Sequence, residues 1–187
     1  MPSTMVTVDG FPVPVDVAGP DKGSVVVVLG AAHHAPSAYD AVCQRLHTAS
    51  LRTVVIGPDA RLTAKSVVGI LDALDVRWAL LVGDRNGGEL AWELAATRLD
   101  RFIGLVVIDR GHPCVADLTG VIRDEHCPPV EMNTTALVST PAARAVAKAS
   151  QRYVYGDFRM VDLLGRRNAA DSTAQLAAEI VLRTSSW

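Results

Sequence analysis

An α/β fold built on a mostly parallel, doubly wound sheet is predicted by three features of the chain. Short continuous apolar runs recur at 24–29, 52–56, 78–82 and 103–108, the pattern of strands buried on both faces. Segments with helical periodicity and helix start signals lie between them. Ahead of these, an Asp9-Gly10 pair separates two short alternating runs, which adds an antiparallel hairpin at the edge.

The elements follow in order. Residues 6–8 and 13–17 form the hairpin around Asp9-Gly10, and 24–29 is the first buried strand. Ser37 reads as an N-cap, with Asp40 three positions on, for a helix presenting Val42, Cys43 and Leu46. The strand at 52–56 leads to Thr63, which caps a helix carrying Val67, Val68, Leu71 and Leu74. Residues 78–82 run into the turn Gly83-Asp84-Arg85-Asn86-Gly87-Gly88 and a helix at 89–96. After the strand at 103–108 comes another at 135–138, followed by Thr140 as N-cap, Pro141 at the first helical position and a helix at 143–149. A last strand at 159–163 and helix at 174–182 complete the alternation. Such a sheet takes its ligands at the carboxyl ends of its strands.

The 187 residues, 49% hydrophobic and 20% charged, suffice for one core, so 1–187 is read as a single domain. The formal charge of -2 and the lack of a basic run exclude nucleic acid and an anionic membrane as partners. No charged leader precedes an apolar segment, and no apolar stretch reaches the roughly 18 to 20 residues that span a bilayer, so a cytoplasmic location is expected. Cys43, Cys114 and Cys127 are odd in number and lack metal-type spacing, which makes them free thiols and leaves no expected metal or cofactor. Lysine occurs only at 22, 65 and 148, and this arginine bias with the Ala/Val richness points to a GC-rich bacterial genome.

The turn at Gly83 to Gly88 carries the chemistry-bearing pattern. A G-x-S-x-G nucleophile elbow places its central residue on a strained bend between strand and helix, with glycines where the two approach. Both glycines are present, and the central residue is Arg85, which cannot attack a carbonyl.

With that elbow in place, the chain resembles the α/β-hydrolase superfamily. Val25-Val-Val-Val-Leu-Gly30 is similar to the strand leading to the oxyanion loop, and 71–83 to the helix and strand entering the elbow. The match runs on from Ala91 to Asp109 and extends, more weakly, over essentially the whole chain. The resemblance implies a Ser-His-Asp triad at three places. The nucleophile position falls on Arg85, the acid within Ser139-Thr140-Pro141-Ala142, and the histidine within Gly165-Arg166-Arg167-Asn168, so the required residue types are missing from all three. Asp109 stands where some members place the acid. The segment that usually forms a helical lid shrinks to 111–133, implying no cap domain and a mouth that is either open or closed by another subunit, as in a homodimer.

Two readings of Arg85 remain open. It can ion-pair internally with Asp84 or Asp109, or it can join the amides of Asn86 and Gly87 at a helix N-terminus to hold a small acidic ligand. His33 and His34 follow the first buried strand and face the same mouth, as ligand-binding or proton-transferring groups or as ordinary loop residues. Asp109 and His112 form a conceivable acid-imidazole pair, and Cys114 beside His112 a displaced thiol nucleophile. Arg166-Arg167 reads as a solvated turn, while Trp78 and Trp92 read as packing residues. The expected function is a pseudoenzyme or small-molecule- or partner-binding protein, with Arg85, Asp84, Asn86, His33, His34 and Asp109 at the ligand. The alternative is an enzyme of non-standard chemistry (lyase, isomerase or atypical hydrolase) resting on His33, His34, Asp109, His112 or Cys114. A purely structural role for the open sheet end is the third reading.

Overall fold

A computed structural model describes residues 2–164 and 169–185. Among them, eight strands form one sheet: β1 (Ser3–Val6), β2 (Pro12–Ala18), β3 (Val25–Leu29), β4 (Arg52–Ile56), β5 (Ala79–Asp84), β6 (Phe102–Ile108), β7 (Asn133–Val138) and β8 (Phe158–Asp162). Their order is β1-β2-β4-β3-β5-β6-β7-β8. β1 with β2 and β2 with β4 are antiparallel, and every other pair is parallel. The strand order reverses beside β3, and its carboxyl end is where such a sheet opens a crevice.

Period-two alternation explains why the strands read as unbroken apolar runs. Val27, Leu29 and Leu81 pack into one core, whereas Val26, Val28, Leu80 and Val82 pack into the other. Helices α2 (Ala64–Ala73), α3 (Asn86–Thr97) and α4 (Pro141–Ser150) contribute to the first core, while α1 (Asp40–Thr48) and α5 (Ala169–Thr184) cover the second. By the same alternation Asp84, two positions past Val82, points to the α1 side of the sheet.

The caps at Thr63 and Thr140 are in place. Thr63 Oγ1 accepts from the Ser66 amide at 3.2 Å, and Ser66 Oγ accepts in return from the Thr63 amide. Removing that box in Thr63→Ala should cost about 1 kcal/mol, read as a lower urea midpoint at unchanged m-value.

Three local expectations are corrected. The hairpin loop is wider than an Asp9-Gly10 turn, because the Thr7 amide bonds Phe11 O at 2.9 Å and holds 7–11 as a loop, with Gly10 at φ +90°. Ser37 caps nothing: Pro36 starts a 3₁₀ turn, Pro36–Tyr39, which buries Tyr39 and hands the chain to α1. Trp78 precedes its strand and is 56% exposed, whereas Trp92 is fully buried with Nε1 donating to Arg110 O at 3.1 Å. Cys43, Cys114 and Cys127 are free thiols. No helix among the described residues is long and apolar enough to cross a membrane.

Candidate functional site

The elbow is built where β5 turns into α3. Arg85 sits at its tip with φ 49° and ψ -108°, a conformation that a side chain adopts only when the surroundings enforce it. Its amide donates to Ile108 O at 3.1 Å, and its carbonyl accepts from the Gly88 amide at 2.8 Å. The glycines explain how helix and strand come so close. A Cβ on Gly83 would lie 2.5 Å from Gly88 Cα, and one on Gly87 would enter the Leu29 carbonyl.

Arg85 pairs with Asp84: a guanidinium nitrogen lies 3.6 Å from Asp84 Oδ1. Asp84 is buried and Arg85 is about half exposed, so the pair straddles the surface. The other carboxylate oxygen accepts a 2.7 Å hydrogen bond from the Tyr39 hydroxyl, which itself accepts from the Ala31 amide at 2.8 Å. Burial, assisted by the Asp84 charge, pushes the Tyr39 hydroxyl above its ordinary range, so it remains a donor. The Ala31 amide opens the loop after β3, from which hydrolases of this architecture draw an oxyanion donor. Here that amide is already occupied. Asp84 Oδ1 is buried without a hydrogen-bond partner.

The remaining candidates separate. Asp109, at φ +56°, accepts from the Ser139 amide at 2.7 Å, and the Ser139 hydroxyl donates to its other oxygen. Asp109 thus joins the ends of β6 and β7 and makes no bond to Arg85 or to an imidazole. His112 is fully buried, stacked 4.6 Å from the Tyr153 ring and edge-on to Trp92. Its Nε2 bonds Pro128 O at 2.7 Å, while Nδ1 accepts from the Cys114 amide at 3.1 Å. The Cys114 thiol has the Glu125 and Cys127 carbonyls within reach as acceptors for its one hydrogen, at 3.4 and 3.3 Å. His112 therefore bonds to loop backbone, not to Asp109 or to the Cys114 thiol. Burial pushes the neighbouring Cys127 thiol up to about 12. His33 and His34 are exposed on the loop after β3, with His34 edge-on to Tyr39. Residues 165–168, where the resemblance puts a histidine and where Arg166-Arg167 falls, lie outside the described residues.

Beside the elbow a cleft of about 870 Å³ opens at the carboxyl ends of β3 and β4, a size suited to a small molecule. His33 and Asn86 line its elbow end; Asp84, Arg85, His34 and Asp109 are not part of its wall. Leu29, Ile56, Leu62 and Leu90 supply apolar surface, and Asp59, Glu93, Arg123 and Asp124 supply charged groups. Glu89, also lining it, lies 3.2 Å from both Arg110 and Arg123. Sequence reasoning missed this wall. Its signal was the spacing Asn86, Leu90, Glu93, which puts three residues on one face of the helix that leaves the elbow. Among the described residues no group of three or more His, Cys, Asp or Glu is placed to hold a metal ion.

Comparison with known proteins sharpens the fold. No family model matches the chain, and no curated protein matches it. Solved structures do. A hydrolase from Pseudomonas aeruginosa superposes with TM-score 0.73 at 15% identity, over 98% of this chain and 96% of its own. An esterase from Exiguobacterium antarcticum reaches 0.75 at 13% identity, over 96% and 99%. A variant of AqdC, solved with its substrate, the Pseudomonas quinolone signal, whose ring it cleaves, reaches 0.70 at 19% identity over 98% of each chain. The chain has the α/β-hydrolase fold, and among the described residues it shows an eight-stranded sheet with an N-terminal antiparallel hairpin and no cap domain.

Proposed function

We propose that this chain is a non-hydrolytic α/β-hydrolase-fold protein that binds a small acidic molecule in the cleft beside the elbow. The observation that carries the reading is the guanidinium of Arg85 at the elbow tip, paired to Asp84. Where a hydrolase of this fold needs an attacking oxygen, the position holds a cation that has no lone pair to donate. The Ala31 amide is also engaged by Tyr39, which withdraws one donor from any developing oxyanion.

The same features suit binding. A guanidinium has five N–H donors in a fork, so Arg85 can keep Asp84 and still take a ligand carboxylate. The α3 N-terminus favours negative charge at that end. Of the carboxylates that line the cleft, Asp59 is paired with Arg61 and Glu89 with Arg110 and Arg123, and an acid would reach past the wall at Asn86 toward Arg85 with its apolar body over Leu29, Ile56 and Leu90.

The test is a thermal-shift series with 4-phenylbutyrate and its isosteres 4-phenylbutanol and 4-phenylbutylamine. At ten times Kd a ligand stabilises by about 1.4 kcal/mol, or roughly 4 °C for a domain of this size. The acid should give the largest shift, and Arg85→Gln should abolish it. Equal shifts from all three in wild type and Arg85→Gln would remove the role of Arg85. A fluorophosphonate probe should leave the intact mass unchanged, since no serine hydroxyl among the described residues bonds to an imidazole.

A second reading rests on His33, which lines the cleft beside Asn86. An acid-base enzyme of another reaction class would use that imidazole, because Asp109 and His112 are held by other partners. Such an enzyme would show a pH profile governed by one imidazole and lost in His33→Ala.

A further inference from the structure

The segment from Pro113 to Pro128 forms one wall of the cleft through Pro113, Arg123 and Asp124, and both of its ends are tied to a single side chain. The His112 ring accepts from the Cys114 amide through Nδ1 and bonds the Pro128 carbonyl through Nε2. Only one protonation state satisfies both contacts. Nε2 must carry hydrogen to donate to a carbonyl, and Nδ1 must keep its lone pair to accept from an amide. The imidazole is therefore neutral, stacked on Tyr153 and edge-on to Trp92, while the His112 amide is anchored separately by Ser150 Oγ at 2.9 Å.

We propose that His112 is the clasp of this wall: the 113–128 loop stays closed over the cleft while the imidazole is neutral and opens when Nδ1 gains a proton. A proton there occupies the lone pair that holds the Cys114 N–H, so two donors face each other. The end of the loop at Cys114 loses its acceptor, while the anchor at Ser150 and the core behind it are untouched. The result is control of access to the site, and it rests on the reading of the cleft as the place where the ligand sits.

The surroundings oppose that proton in the closed form. Burial, the largest influence, pulls His112 below the ordinary imidazole range; the bond to Pro128 O acts the other way, the Arg123 charge lowers it further and the Asp124 charge raises it. Tyr153, with the Arg152 guanidinium over its outer ring at 4.9 Å, faces it from the turn after α4. α3 and α4 present the uncharged Trp92 and Ser150. An open, hydrated imidazole titrates near 6.5. The closed form is thus fully favoured above that value, and it loses about tenfold per pH unit as pH falls from there toward the depressed closed-state value.

The experiment is hydrogen exchange read by mass spectrometry at pH 7.5 and 5.5, corrected for intrinsic exchange. Protection of the 113–128 segment should fall severalfold, up to about tenfold, in wild type, with the strands at 102–108 and 133–138 unchanged within twofold. His112→Gln, whose amide supplies a donor and an acceptor with no titrating proton, should show the same protection at both pH values. Equal protection of the wild-type loop at both pH values overturns the clasp. So does a joint loss from loop and strands, or an identical fall in His112→Gln. Should that variant fail to fold, the wild-type comparison decides alone. Exchange reads the loop without ligand, so a negative result leaves the binding proposal standing. An absent thermal shift with 4-phenylbutyrate removes the binding proposal and leaves the exchange result intact.

Discussion

Gly87→Ala is expected to destabilise the fold by more than about 4 kcal/mol, a loss reserved for a few named mechanisms. The mechanism here is steric. A Cβ at Gly87 would enter the carbonyl group of Leu29 and lie 2.8 Å from the Gly30 carbonyl oxygen, and all of these atoms are backbone. No side chain can rotate away, so α3 must withdraw from β3 and the elbow must open. Gly120→Ala separates this clash from backbone strain. Gly120 has φ +83° and nothing within 4 Å of an added Cβ, so that change should cost only about 1 kcal/mol. Against a total stability of about 5–15 kcal/mol, Gly87→Ala should lower the urea midpoint severely or abolish soluble expression. A midpoint within experimental error of wild type would mean that helix and strand do not meet at this position.

Arg183→Met is the second large effect, expected at about 3 kcal/mol or roughly 10 °C in Tm. Arg183 projects from α5 into the sheet with only 6% of its side chain exposed. Its Nε donates to Thr135 Oγ1 at 2.6 Å, one terminal nitrogen donates to Thr134 O at 2.9 Å, and the other lies 2.9 Å from Asp157. Methionine preserves much of the length but removes the guanidinium that bonds the buried Thr135 hydroxyl and the Thr134 carbonyl of β7. Asp157 is 68% exposed, so its charge returns to water at little cost. Asp157→Asn should therefore lose less than about 1 kcal/mol. Comparable losses in the two variants would show that the ion pair, rather than the buried β7 contacts, docks α5. One turn earlier, Glu179 bonds Arg159 through both oxygens at 3.0 and 3.1 Å, which fastens the same helix to β8.

The sheet was legible because parallel strands covered on both faces are apolar along most of their length, so Val25–Leu29 and the Val54, Val55, Ile56 end of Arg52–Ile56 announce themselves without any neighbour. Thr63 and Thr140 were legible as caps because capping is a local exchange of hydrogen bonds. Ser37 was not, since the path there is decided by Tyr39, whose hydroxyl is drawn inward by an amide eight residues back and a carboxylate forty-five residues ahead. The elbow could be read from Gly83 and Gly87, and its pairing of Arg85 with Asp84 was one of two acids the local sequence offered. The cleft could not. Its wall assembles the loop after β4, one face of α3 and the segment that ends at Pro128, and the roles of Asp109 and His112 depend on Ser139 and Pro128, each remote in sequence. Near neighbours decide caps and turns; pockets are decided by loops that meet only after the sheet has formed.

Turnover of p-nitrophenyl acetate and styrene oxide by the purified chain tests the central claim most directly. With Arg85 at the elbow tip and the Ala31 amide engaged by Tyr39, both substrates should react at the rate of buffer alone, in wild type and in Arg85→Gln alike. Saturable turnover by wild type that disappears in His33→Ala would contradict the account and make the cleft an active site.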